Sequence, residues 1–89
     1  MESIQDRARA LISKAGMDRL VKESSIGFQR WHSVRYKDVR MSTEELEVLQ
    51  EMFPSYRLWL ISGAIAPEAG QTSPEYDEAN RNLTSQNAG

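Results

Sequence analysis

The chain has 89 residues, a net charge of −2 and no cysteine. So short a chain makes one domain at most and buries only about 60% of its unfolded surface; without cysteine it holds neither a disulfide framework nor a thiolate metal centre. The charge is segregated: residues 1–40 carry nine Lys and Arg against five acids, and residues 41–89 carry two against eight, the layout of a polyanion-binding half joined to a solvated or partner-binding half.

The first helix is written by Ile4, Ala8, Leu11, Ile12 and Ala15, which recur with the helical period. Ser3 is placed to cap it, Asp6 sits in the first turn where its charge is favoured, and Gly16 ends it. A short second helix follows over about 17–23, with Leu20 and Val21 facing inward. Ser24 and Ser25 break the run, and Ser25 is the expected cap of a third helix over 27–35 whose inward residues are Trp31 and Val34, with Ile26 at the entry. Residues 36–41 show no period and read as a loop. Ser42-Thr43-Glu44-Glu45 is a capping box that opens a fourth helix with an apolar stripe of Leu46, Leu49, Met52 and Phe53. The acids Glu44, Glu45, Glu47 and Glu51 read as its solvated face. Pro54 stops that helix. A fifth helix over about 55–62 carries Leu58, Trp59 and Ile61 on its apolar side and is capped by Gly63.

Beyond Ile65 the composition turns to Pro, Gly, Ser, Thr, Asn and Glu. Such a segment buries too little surface to offset its ordering entropy. The expectation is a domain over 1–65 and a polar, partly disordered tail over 66–89, with one short helix at about 74–83 opened by Pro74. No repeat and no strand alternation interrupts this all-α reading. The start of the chain lacks a signal pattern, and the longest strongly apolar stretch, residues 58–61, falls far short of the roughly 20 residues of a membrane span. A soluble, cytoplasmic protein is expected.

With Trp31 and Val34 inward, the helical period turns Gly27, Phe28, Gln29, His32, Ser33 and Tyr36 outward or to the flank, with Arg30 and Arg35 beside them. Gln and Arg pair bidentately with adenine and guanine edges in the major groove. Ser, Tyr, Lys and backbone amides at a helix N-terminus are typical phosphate contacts. His32 is the sole histidine and has no ligand-spaced acids around it, so no metal role is expected of it and it reads as a DNA contact or a plain exposed side chain. No phosphate loop, nucleophile elbow or zinc-binding His-Glu motif occurs, and neither an enzyme nor a cofactor is expected.

Residues 17–36 (MDRLVKESSIGFQRWHSVRY) resemble the helix-turn-helix of the phage-repressor-like (Cro/repressor, XRE-type) family: an apolar pair at Leu20-Val21, an apolar residue after the turn at Ile26, and core positions at Trp31 and Val34. Residues 41–46 and 53–63, with their Trp-Leu-x-x-Gly ending, are similar to small bacterial and prophage regulators of that group. Ser24 and Ser25 stand where the family usually has an apolar residue and a glycine. The resemblance implies a compact five-helix lambda-repressor-like domain that binds double-stranded DNA as a homodimer on an inverted-repeat operator.

On that reading Gln29, Arg30, His32 and Ser33 read bases. Gly27, Phe28, Arg35, Tyr36, Lys37, Arg40, Arg19 and Lys22 hold phosphates. Leu58, Trp59, Ile61 and Ile65 form the dimer contact. The alternative is a protein-binding module on the same fold, an inhibitor or antitoxin-like phage protein using its acidic C-terminal half.

Overall fold

The computed structural model describes the backbone of residues 2–88 and the side chains of residues 2–82. The first helix, α1 (Ile4–Ala15), starts at a reciprocal box in which the Asp6 amide donates to the Ser3 hydroxyl and the Ser3 amide donates to the Asp6 carboxylate. It buries Ala8, Leu11 and Ile12. Gly16 ends α1 and opens α2 (Met17–Glu23) with φ at +85°, a backbone region that favours glycine. Leu20 of α2 is fully buried, but Val21 is exposed. The expected inward pair is thus a single residue, because a helix this short presents one turn to the core.

Next, α3 (Phe28–Tyr36) buries Trp31 and Val34 as the period requires. Its cap is Gly27, not the expected Ser25: no side chain caps it, and Ser25 is exposed. Ser24 is the serine with work inside the turn. Its hydroxyl donates to the Leu20 carbonyl and accepts from the Ile26 amide and from the Trp31 indole N–H. A polar residue is therefore tolerated at a position of apolar habit, since every bonding direction of its hydroxyl is used.

The fourth helix, α4 (Thr43–Met52), buries Leu49, with Leu46, Met52 and Phe53 half-buried against the core. Pro54 then opens a 3-10 turn (Pro54–Tyr56) that leads into α5 (Arg57–Ser62). The tight turn shifts the register of what the sequence presents as one helix over 55–62. The buried residues are Tyr56, Trp59 and Leu60, while Leu58 and Ile61 face out. α1 lies at the centre and touches each of α2, α3, α4 and α5. Its Arg7 is buried and donates to the carbonyls of Leu60 and Ile61, satisfying the open C-terminal end of α5.

The segment after α5 is tied back by hydrogen bonds more than by apolar contact. Ala66 and Gln71 form an isolated bridge, and the Thr72 amide donates to the Ser55 carbonyl. The Gln71 side chain bonds the Pro54 carbonyl and the Leu58 amide. A last helix, α6 (Pro74–Ala88), runs past the expected 74–83. Asp77 of α6 accepts from the Tyr56 hydroxyl at 2.7 Å. Burial and the Asp77 carboxylate push the Tyr56 phenol up to about 12, so the neutral donor is held. The expected disorder of the last residues falls on Gly89 and on the side chains of 83–88, which lie outside the described residues.

Candidate nucleic-acid interface

The face of α3 opposite Trp31 and Val34 is built from side chains that the core does not use. Gln29 is exposed, and its side chain makes no hydrogen bond among the described residues. Phe28, His32 and Tyr36 follow each other at one-turn spacing in tilted ring contact, with centroids 5.6 Å and 4.8 Å apart. The Arg35 guanidinium lies over the Tyr36 ring at 4.8 Å. Phe28 and Tyr36 remain 53% and 60% exposed, so these rings belong to a surface and not to the core. Ser33 is half-buried on the other flank.

Two arginines fix this helix in place. Arg9 of α1 donates to the Val34 carbonyl and pairs with Asp38 at 3.1 Å, where the chain turns at φ +57° beyond α3. Arg30 reaches in the opposite sense. Its guanidinium makes two bonds to one oxygen of Glu45, at 2.7 Å and 3.0 Å, and one to the Arg40 carbonyl. Glu45 is only 1% exposed. The acid row expected on the solvated face of α4 is therefore Glu44, Glu47 and Glu51 alone, with Glu45 turned inward to Ser42 and Arg30. Burial alone would raise the Glu45 carboxyl; the Ser42 amide, the Arg30 guanidinium and the Ser42 hydroxyl outweigh it and hold the carboxyl below its ordinary value.

The positive charge of the first half is thereby partly internal. Arg7, Arg9, Arg19 and Arg30 are paired with Glu2, Asp38, Glu23 and Glu45. Arg19 also lies over the Phe53 ring. Lys22, Arg35, Lys37 and Arg40 have no carboxylate partner among the described residues. They come from α2, from the end of α3 and from the loop after it. Gly27 leaves the α3 N-terminus open, with nothing within 4 Å of where a side chain would start.

Among solved structures, the chain is similar to Pf6r from the filamentous phage Pf6 of Pseudomonas aeruginosa PA01. The two share 70% sequence identity over 93% of this chain and 99% of that one, with a TM-score of 0.90. The chain belongs to the Pf6r family. No protein-family model matches it, and no curated protein matches it.

In this Pf6r-family chain the residues assigned to a dimer contact separate into two groups. Leu58, Ile61 and Ile65 are exposed apolar side chains. Trp59 is not available beside them: it is buried in the core, in a T-shaped contact with Tyr56 at 6.3 Å between ring centroids. Two residues that the sequence places outside the site shape it. Ser24 positions Trp31, and Glu45 positions Arg30. A polar residue in an apolar slot of the turn pattern was the available sign of the first; nothing local marks the second. Among the described residues no three His, Cys, Asp or Glu side chains gather as a metal site needs, and no helix is long and apolar enough to cross a membrane.

Proposed function

We propose that this Pf6r relative is a sequence-specific DNA-binding regulator of helix-turn-helix type, acting as a repressor for a phage, a prophage or its bacterial host. The observation that carries this reading is the outward face of α3. It presents Gln29, whose side chain makes no hydrogen bond among the described residues, beside the exposed rings of Phe28 and Tyr36, on a helix held by Arg9 and Arg30 and flanked by cations with no carboxylate partner among the described residues. α2 and α3 form the two-helix unit, and α3 enters the major groove. Gln29 reads an adenine edge, with His32 and Ser33 beside it. Arg30 leaves the base-reading set, since its guanidinium is engaged by Glu45 and the Arg40 carbonyl; it is a positioning residue. Lys22, Arg35, Tyr36, Lys37, Arg40 and the open amides at Gly27 and Phe28 hold phosphates, with Arg19 adding a contact when it leaves Glu23.

Leu58, Ile61 and Ile65, apolar side chains left exposed by the domain, supply the contact with a second copy, which would take them out of water. Two copies then meet an inverted repeat with half-sites about one helical turn apart. The place of action is the cytoplasmic nucleoid, and the reading needs neither a cofactor nor a catalytic step.

The test is selection from a random duplex library with the purified chain, followed by binding of the recovered site by Gln29→Ala. The variant is expected to lose about 1–3 kcal/mol on that site and to tolerate other bases at one position of each half-site. An equal loss on every sequence would remove Gln29 from the base-reading set. A folded sample that enriches no sequence at low salt would instead favour the protein-binding reading.

A further inference from the structure

We propose that Phe28 reads thymine through its C5 methyl group, so that recognition by α3 is partly apolar; this rests on the DNA-binding reading above. Phe28 is the first residue of α3 and is 53% exposed. It belongs to no part of the core cluster. Among the described residues its ring neighbour is His32, at 5.6 Å, which in turn is 4.8 Å from Tyr36. The ring therefore sits half-exposed in tilted contact with His32 along its own helix, outside the core cluster. Gly27 beside it leaves the approach open.

An exposed ring in such a place needs an apolar counterpart. Phosphate and sugar oxygens offer none. Of the groups that base pairs present in the major groove, the thymine methyl is the apolar one. Charge sets the orientation: Lys22, Arg35 and Lys37, which have no carboxylate partner among the described residues, draw the backbone in around α3 and so press this end of the helix against base edges. The Phe28 amide remains free for a phosphate while its ring meets the methyl. Gln29, the next residue, takes the adenine edge, so A·T pairs dominate the part of each half-site under the start of α3.

Uracil pairs as thymine does and lacks only that methyl. The experiment measures binding of the full chain to the selected duplex with thymines replaced by uracil one position at a time. In the unmodified protein one position per half-site is expected to weaken binding about fourfold, and roughly 15-fold when both half-sites are changed, the value of one buried carbon at each. Phe28→Ala, in which only an exposed side chain is trimmed, should bind the thymine and uracil duplexes equally, and Phe28→Leu should retain part of the discrimination. The proposal is overturned if Phe28→Ala shows the same uracil penalty as the parent, or if no position carries a penalty; in either case the recovered operator leaves the DNA-binding reading intact. Failure of the selection itself, from a folded sample at low salt, overturns both.

Discussion

Trp31→Ala is expected to destabilise the domain by about 3–5 kcal/mol, the largest effect of any single side chain here. Trp31 is the largest fully buried side chain. It belongs to the core cluster and also carries a polar commitment, the indole N–H to Ser24 at 3.2 Å. For a domain of this size the loss corresponds to a fall in melting temperature of roughly 4–8 °C per kcal/mol, enough to unfold much of the sample at 37 °C. Chemical denaturation followed at Trp59, which the variant keeps, measures it. Ser24→Ala separates the two contributions. It leaves the indole N–H buried without an acceptor and should cost about 1–3 kcal/mol. In the Trp31→Phe background, which has no N–H to satisfy, the cost should shrink to what remains of the Leu20 and Ile26 bonds. Equal costs for Ser24→Ala in both backgrounds would show that the bond to Trp31 contributes nothing.

Glu45→Ala is the second large effect, expected at about 2–4 kcal/mol. The upper value is the loss from breaking a buried ion pair; the lower reflects an Arg30 side chain that is 39% exposed and regains water once released. The variant also removes the acceptor of the Ser42 amide and hydroxyl at the start of α4. The pH dependence has a definite sign. The folded carboxyl lies below its ordinary value of 4.5, so its stabilisation is complete above that value and is lost as the pH falls below it toward the folded value. Thermal melts of the parent should therefore drop between neutral and acid pH more steeply than those of Glu45→Gln, whose side chain does not titrate. Parallel curves for the two would mean that the ion pair does not stabilise the fold. Arg30→Gln should lower stability as well, and it should weaken DNA binding on all sequences alike, because Arg30 acts by holding α3 and the loop after it.

The helices themselves were legible because their signals are local. Ser3 with Asp6, Gly16, the run from Ser42 to Glu45, and Gly63 mark ends by rules that involve at most four neighbouring residues. Trp31 and Val34 follow from the period alone, and with them the outward placement of Gln29, His32 and Tyr36. What was not legible depended on contacts across the chain. Glu45 looks like its acidic neighbours until Arg30, fifteen residues earlier, is brought against it. The register of α5 depends on the 3-10 turn that Pro54 starts, which moves Leu60 inward and Ile61 outward. The polar segment after Ile65 reads as unattached because its anchors, Gln71, Thr72 and Asp77, work through hydrogen bonds that hydropathy does not register. Charge segregation was visible as a total, but four of the arginines behind it turn out to face acids of the same chain.

The central claim, that the outward face of α3 meets DNA, is tested most directly by recording the backbone amide signals of the isotope-labelled chain during titration with the selected duplex. The account predicts the largest changes at Gly27, Phe28, Gln29, His32, Ser33 and Tyr36, with smaller ones at Lys22, Lys37 and Arg40, and none along Glu44, Glu47 and Glu51. Changes centred on α4 or α6 while the signals of α3 stay in place would contradict it.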